Sequence, residues 1–580
     1  MTADQRTIQR RPSASEPGLD CAEIDPFLQR IFAARGVTRP QQVQYPLAGL
    51  ENPNQLKGMA QATALLEQVL RAQQRILVIG DYDADGATST AVVVLALRAL
   101  GAINIDYLAP NRFEYGYGLT PGIVELASHR SPDLIITVDN GISSIDGVAA
   151  ATELGIRVLV TDHHLAGSEL PTADAIINPN QPGCSFPSKA IAGVGVAYYL
   201  MIALRGRLRD SGWFEECGVE QPNLADLLDL VALGTVADVV PLDSNNRTLV
   251  EQGLRRIRAG RARPGLIALI ELGNRNLRNL VSQDLGFTVG PRLNAAGRLD
   301  DISLGIECLL TDDPGLAMDM ARQLDQLNQD RKQIEQGIQQ EAMQILDGMQ
   351  LETDTDLPLG ICLYDEQWHS GVIGIVASRV KDRVHRPVIT FGKVSDTEIK
   401  GSGRSVEAVH IRDLLERIAT HNPGLIQKYG GHAMAAGLSI SPENYPRFAE
   451  LFDQAVREVV DEQMLQAIVV TDGELDGKNL NLQTADLLRT AGPWGSGFPE
   501  PLFDGEFILE NQKIVGERHL KFRALEPNSG VTIEAIAFNV DLDSWPSTGN
   551  KAQLAYRLDV NEFRGNRTPQ LVCDYLAELP

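Results

Sequence analysis

Three times between residues 75 and 164 a short β-branched apolar run stops on a charged cluster. The three are RILVIG before DYDADG (75–86), DLIITV before DNG (133–141) and IRVLVT before DHH (156–164). A fourth run, ADAII (173–177), precedes NPNQPG. Apolar runs of five or six residues without in–out alternation are the mark of strands buried on both faces. Helical stretches lie between them, such as ATSTAVVVLALRAL after DYDADG and GVAAATELG (147–155). Strand and helix in alternation predict an α/β domain with a parallel sheet covered on both sides. In such sheets ligands bind outside the carboxyl ends of the strands. The three clusters are therefore expected to face one crevice. A further acid, Asp238 in GTVADVVPL (234–242), follows the helical run LADLLDLVALG.

Several carboxylates and an imidazole in one cleft repel one another and resist ionisation unless positive charge is held there. The clusters offer enough ligands for two metal ions. Oxygen-rich sites with a histidine and no thiolate suit Mn²⁺ or Mg²⁺ better than structural zinc. Two such ions about 3.5–4 Å apart form a phosphoryl-transfer device. A lone DxD or a lone HH pair is common on surface loops; the signal is their recurrence at equivalent positions.

The rest of the chain bounds this reading. With 580 residues it is too long for one core and predicts about three or four domains. No run of about 18 apolar residues occurs; AVVVLALRAL (91–100) is short and interrupted by Arg98. The N-terminus, MTADQRTIQRRPSASEPG, lacks an apolar core and reads as a disordered tail, not a signal peptide. Six scattered cysteines without a CxxC pair point to reduced thiols in a cytoplasm. The net charge of −24 argues, taken alone, against a nucleic-acid partner. Yet residues 252–298 hold nine arginines (255, 256, 258, 261, 263, 275, 278, 292, 298) against Glu271 and Asp284. That stripe is either a phosphate-binding surface or, for its first five members, simply a solvated helical face.

The expected organisation is an N-terminal extension (1–50), a first α/β domain (51–312), a connecting helix (313–350), a second α/β domain (351–465) and an all-β domain (466–580). Asp313 is placed to cap the helix and Pro314 to begin it. Leu316, Met320, Leu324, Leu327, Ile334, Ile338, Ala342 and Ile345 form its apolar stripe. After 466, runs such as PLFDGEFILEN, HLKFRALE and PQLVCDYL alternate apolar and polar residues, as in a small barrel or sandwich. GPRLNAAGR (290–298), GSGRS (401–405) and GGHAMAAG (430–437) read as small-residue loops able to approach an anion. GVGVAY (193–198) lacks the third glycine of a dinucleotide fingerprint and follows no clear strand. No Walker A sequence occurs, so ATP is not implied.

GDYDADGATS, VDNG, TDHH and GTVADVVPL resemble the successive motifs of the DHH phosphoesterase superfamily. PNRFEYGYGL (110–119), GPRLNAAGR, WHSGVIGIVASRV (368–380), GSGRS and GGHAMAAG resemble those of its RecJ family, bacterial single-strand-specific 5′→3′ DNA exonucleases. The resemblance runs through nearly the whole chain, in the order DHH domain, long helix, DHHA1 domain and OB-fold. It implies that Asp83 and Asp139 hold one Mn²⁺ or Mg²⁺ ion and that Asp85, Asp139, His163 and Asp238 hold the other, with Asp139 bridging. Asp81 would be a further ligand, or an acid behind the ligands, where many relatives use a histidine at the position of Ile79. His164 would face the scissile phosphate. Arg292, Asn294 and Arg298 would contact substrate. Ser402, Arg404 and His432 match phosphate-binding positions, and Arg112 would join the first two around a terminal 5′-phosphate.

An OB-fold commonly binds single strands through a basic groove and stacking aromatics. Phe522, Trp545, Tyr556 and Phe563 are available for this, with Lys521, Arg523, Arg564 and Arg567, although barrel core is an equally open role for the aromatics. The resemblance further implies a monomeric cytoplasmic enzyme releasing 5′-mononucleotides from single-stranded DNA in recombination and repair. Its partners would be single-strand-binding protein and a RecQ-type helicase. Two rival readings are a DHH hydrolase of oligoribonucleotides or cyclic dinucleotides, and an inactive DHH scaffold that binds DNA. Relatives of the first kind lack the OB-like region; those of the second lose metal aspartates that this chain keeps.

Overall fold

The structure, a computed structural model, describes residues 6–12, 21–109, 112–353, 358–461, 464–465, 467–516, 519–538, 540, 551–563 and 565–579. Among these residues the chain forms two units. One comprises Met1–Arg11, Gln329–Ala485 and Leu502–Pro580; the other comprises Pro12–Asn328 and Asp486–Pro501. Within the segment that the sequence predicts to be a disordered tail, Thr7–Arg10 form a strand, β1.

The second unit is built on β2 (Ile76–Gly80), β3 (Ile105–Leu108), β4 (Leu134–Val138), β5 (Arg157–Thr161) and β6 (Ala175–Ile177), ordered β3-β2-β4-β5-β6 and parallel throughout. The expected apolar runs supply four of these strands, and β2 and β4 are buried at every residue. β3 has no such run because it lies at the sheet's edge, where only Leu108 of IDYL is buried. On one face Leu77, Ile79, Ile135, Val158 and Val160 pack against the helices Pro121–Ser128 and Ile145–Glu153. The opposite face carries the helix Ala84–Ala99, itself enclosed by Gly193–Asp210 and Leu228–Ala237. That enclosure explains its nearly uniform apolar sequence.

The other unit contains β7 (Ile361–Asp365), β8 (Val388–Lys393), β9 (Ile399–Arg404), β10 (Lys428–Gly431) and β11 (Ala435–Ile440), ordered β10-β11-β9-β8-β7. Only β7 and β8 run parallel. Phe391, Ile411, Leu415, Phe448 and Phe452 centre its core. GSGRS and GGHAMAAG, expected as loops, are therefore β9 and the β10–β11 hairpin. In β9 the pleat buries Ile399, Gly401 and Gly403 and turns Lys400, Ser402 and Arg404 to the opposite face.

β1 pairs in parallel with β12 (Ile468–Thr471), and Arg10 is held by Asp504 (2.7 Å) and Glu474 (2.6 Å). A four-residue polar strand whose partner lies more than 450 positions away leaves no local signal. β13 (Phe503–Val515), β14 (His519–Leu525), β15 (Thr532–Ala537), β16 (Lys551–Phe563) and β17 (Asn566–Glu578) close a barrel in the order β13-β14-β15-β17-β16. Phe522 and Tyr556, candidates for base stacking, are 1% exposed and belong to its core. Lys521 pairs with Glu534 at 3.4 Å. Trp545, Arg564 and the side chain of Phe563 lie outside the described residues.

The long helix runs from Pro314 to Thr353. Asp313 caps it as expected, accepting from the N–H of Gly315 (2.7 Å) and Leu316 (3.1 Å). Its buried stripe differs from the predicted one. Leu316 is 49% exposed, and the stripe runs Ala317, Ala321, Leu324, Asn328, Arg331, Glu335, Ile338, Ala342, Leu346. In its polar centre Arg331 and Glu335 are paired at 2.7 Å.

Candidate metal centre

The carboxyl ends of β2, β4 and β5 bring their acidic clusters together. Three triads each present ligand atoms within 4.8 Å of one another: Asp81, Asp83 and Asp139; Asp85, His163 and Asp238; Asp139, His163 and His164. His163 Nε2 lies 3.1 Å from Asp139 Oδ1 and 3.4 Å from Asp238 Oδ2. Among the described residues these two buried carboxylate oxygens have no hydrogen-bond partner. Buried acceptors without donors are costly, and a divalent cation satisfies both. The donor set of carboxylates and imidazole fits Mn²⁺ or Mg²⁺.

Local structure fixes each group. Asp83 caps the helix Ala84–Ala99, accepting from the N–H of Asp85 (2.9 Å) and Gly86 (3.0 Å). Asp139 stands just past β4 with φ +60°, a left-handed conformation that aspartate tolerates better than most residues. Asp85 is 1% exposed, and its oxygens accept from the first amides of the helix Gly193–Asp210, Gly193 at 2.7 Å and Val194 at 2.9 Å. The helix dipole adds to these bonds. Burial, then the charge of Asp83, outweigh them and push the Asp85 carboxyl up to about 7. Burial and the neighbouring aspartates, Asp85 and Asp83 foremost, hold Asp139 and Asp238 well above the usual carboxylate range. Carboxylates shifted together in this way mark a candidate functional site.

His164 Nδ1 lies 2.8 Å from Asp162 Oδ1. Asp162 is buried and accepts from the amides of Ile142 (2.9 Å), His163 (2.7 Å) and His164 (3.1 Å). Burial lowers the His164 imidazole, but the bond to Asp162 and its charge outweigh burial and leave it raised. Tyr117 Oη sits 3.2 Å from the same Nδ1.

The remaining predicted residues divide. Asn294 Oδ1 accepts from the N–H of Ala84 at 2.7 Å and so braces the DYDADG turn. Arg292 is committed to Asp325 at 2.8 Å. Arg298 is half-buried on the same helix, Gly290–Leu299, so GPRLNAAGR is a helix entered through a π-turn (Leu285–Val289), not a loop. The arginine stripe is largely consumed by internal pairs: Arg255 and Arg258 with Glu251, Arg256 with Asp226, Arg263 with Asp312 and Arg275 with Asp284. Ser402 and Arg404 lie on β9, and His432 is exposed in the β10–β11 turn. The side chain of Arg112 lies outside the described residues. Sequence reasoning assigns no role to Asp162, although DHH names it, or to Gly193, which it sets aside with GVGVAY.

Family models match in the same order as the fold: the DHH family N-terminal domain over residues 75–235, the DHHA1 domain over 359–458 and the RecJ OB domain over 471–575. The single-stranded-DNA-specific exonuclease RecJ of Escherichia coli is 54% identical over 571 residues, 98% of this chain and 99% of that protein. The chain belongs to the RecJ family. The Haemophilus influenzae RecJ is 53% identical over 96% of both chains. Crystal structures of Thermus thermophilus RecJ match with TM-scores of 0.77 (in complex with Mn²⁺, 31% identity) and 0.72 (with Mg²⁺, 30% identity). Each covers 96% of this chain, and 76% and 75% of the matched chains. Metal-bound RecJ relatives and the acidic cluster here point to the same cofactors, Mn²⁺ or Mg²⁺. No described helix is long and apolar enough to cross a membrane.

Proposed function

We propose that the chain is a metal-dependent exonuclease specific for single-stranded DNA that releases 5′-mononucleotides in the 5′→3′ direction. The observation that carries this is the convergence of Asp81, Asp83, Asp85, Asp139, His163 and Asp238 at the ends of one parallel sheet, in a RecJ-family chain. Asp81, Asp83 and Asp139 would hold one ion, and Asp85, Asp139, His163 and Asp238 the other. Two bound divalent ions supply an activated water and take up charge on the oxygens of an in-line displacement. His164 donates to the scissile phosphate, and Asp162 fixes its ring and favours the cationic form. Arg298 contacts the strand nearby. Asn294 acts through the DYDADG turn that it braces, and Arg292 from its pair with Asp325.

Direction follows from gripping a strand's 5′-phosphate, with His432 as a further contributor. Arg404 is half-buried with no acidic partner among the described residues; its contacts are Ser402 Oγ (3.2 Å) and the Gly403 carbonyl (2.8 Å), and burial lowers its pKa. A Cβ added at Gly374, in the first turn of the helix Ile373–Val384, would come within 2.8 Å of Ser402 Oγ and 3.0 Å of an Arg404 nitrogen. A guanidinium, a hydroxyl and a helix N-terminus without a counter-anion favour a phosphate. Arg404→Gln should therefore lower the preference for 5′-phosphorylated over 5′-hydroxyl strands about tenfold. A preference unchanged in competition assays removes Arg404 from this role. Cytoplasmic repair and recombination, a monomeric state, and partnership with single-strand-binding protein and a RecQ-type helicase rest on the family resemblance.

The test is direct. With Mn²⁺, the purified protein should release mononucleotides from 5′-phosphorylated single strands and leave matched duplex, a cyclic dinucleotide and a short RNA intact. Preference for either small substrate overturns the reading, and no hydrolysis of any substrate favours a DNA-binding scaffold.

A further inference from the structure

The segment AGPWGSGFPEP (491–501) follows the helix Leu482–Thr490 and precedes the barrel in sequence, yet belongs to the unit that carries the metal cluster. Gly495 and Phe498 close a tight hairpin through reciprocal backbone bonds of 2.9 and 3.1 Å. Trp494 and Phe498 stack at 5.2 Å, and both rings lie against Phe32. The Arg247 guanidinium sits 4.1 Å over Phe498. The buried Ser282 hydroxyl donates to the Trp494 carbonyl at 2.7 Å. Trp494 and Phe498 are as inaccessible as core residues.

The loop this hairpin meets is the one that follows Asp238. The N–H of Leu242 donates to the Ser496 carbonyl at 2.7 Å, and the Leu242 carbonyl accepts from Arg247 at 2.7 Å. A Cβ at Gly495 would come within 2.7 Å of Leu242 Cδ1, and one at Gly497 within 3.1 Å of Pro241 Cβ, so the contact is intimate. Between Asp238, which ends the helix Leu228–Ala237, and Pro241 lies Val239 with φ +61°. That conformation is strained for a β-branched residue. Val239 is also 68% exposed, so no burial of its own holds it there. Such strain persists only where the flanking structure over-determines the backbone. Here the helix fixes one end and the hairpin the other.

We propose that the Trp494–Phe498 hairpin is the positioning element that keeps the Asp238 carboxylate in the metal centre. The inference rests on the metal-binding reading above. Asp81, Asp83 and Asp139 stand on the ends of β2 and β4 and do not depend on it; Asp238 stands at a helix end, beside a strained turn. Release of the hairpin lets the turn relax and withdraws Asp238 from His163. Sequence adjoining the OB barrel thus completes the nuclease domain.

The test is Mn²⁺ titration of the chelated, full-length protein followed by electron paramagnetic resonance, which counts ions and yields their affinities. Wild type should bind two. Phe498→Ala should weaken one of them about tenfold, as the loss of a ligand-orienting contact does, and leave the other unchanged. Phe498→Leu should restore most of the loss. Asp238→Asn should weaken the same ion, and adding Phe498→Ala to it should change nothing further. Two ions bound by Phe498→Ala as by wild type, equal weakening of both, or additivity with Asp238→Asn overturns the proposal. If Phe498→Ala does not fold, Ser282→Ala is read in the same way: a smaller weakening of the same single ion supports the proposal, and unchanged binding overturns it. A wild type that binds no Mn²⁺ fails the metal reading itself, an outcome distinct from all of these.

Discussion

Asp139→Ala should abolish turnover, lowering kcat by about 10³-fold or more, while single-strand binding in the presence of Mn²⁺ changes little. Asp139 is the one residue common to the two metal triads that lack Asp238, and its Oδ1 is buried without a hydrogen-bond partner 3.1 Å from His163 Nε2. On the proposed ligand sets, removing it would take a ligand from both ions, whereas removing Asp238 would take a ligand from one. Wild-type cleavage by the variant would show that Asp139 does not bridge. Stability should move the other way. Metal-free, Asp139 is a desolvated carboxylate repelled by Asp85, Asp83, Asp238 and Asp81. Asp139→Asn, which keeps the shape and removes the charge, should therefore melt higher than wild type in chelator. Mn²⁺ should raise the Tm of the wild type, because ligand binding to the folded state stabilises it, and leave the variant nearly unmoved. A wild type that melts higher than Asp139→Asn in chelator would show that the cluster is not strained by its own charge.

The convergence of the acidic clusters is legible because its signal is local and repeated. Each acid ends a strand that the pattern of apolar residues already marks, and parallel topology then carries all the strand ends to one side. Asp238, which follows a helix, was found by its motif and not by that rule. What stayed hidden depends on partners distant in sequence. β1 pairs with a strand more than 450 residues away. Arg292 looks like a free cation until Asp325, on the long helix, is brought beside it. The arginine stripe reads as basic because three of the acids that neutralise it, Asp226, Glu251 and Asp312, lie outside the window and only Asp284 lies within it. Phe522 and Tyr556 illustrate the same limit in the barrel: alternation marks which residues share a face, but not which face is the inside.

Gly193 is the clearest case of a residue that sequence alone misjudges, and its substitution should be nearly as damaging as loss of a ligand. The first glycine of GVGVAY opens the helix whose amides grip Asp85. The same position lies against Asp139. A Cβ at residue 193 would come within 2.7 Å of both Cβ and Oδ1 of Asp139. Neither atom belongs to the free end of a flexible chain, and Asp139 already occupies a left-handed backbone conformation with little room to adjust. Gly193→Ala must therefore displace Asp139 or push the helix back and stretch its bonds to Asp85. Either response moves a carboxylate that the proposed metal centre shares between its ions. Overpacking of this kind costs about 1–3 kcal/mol of stability, which a chain of this size should survive folded. Activity is the more sensitive quantity: a ligand displaced by a fraction of an ångström should lower kcat by at least about 10²-fold. Mn²⁺ affinity should fall in calorimetric titration while circular dichroism stays native. Wild-type Mn²⁺ affinity in Gly193→Ala would mean that the helix yields freely, and that the close approach of Gly193 to Asp139 has no part in building the site.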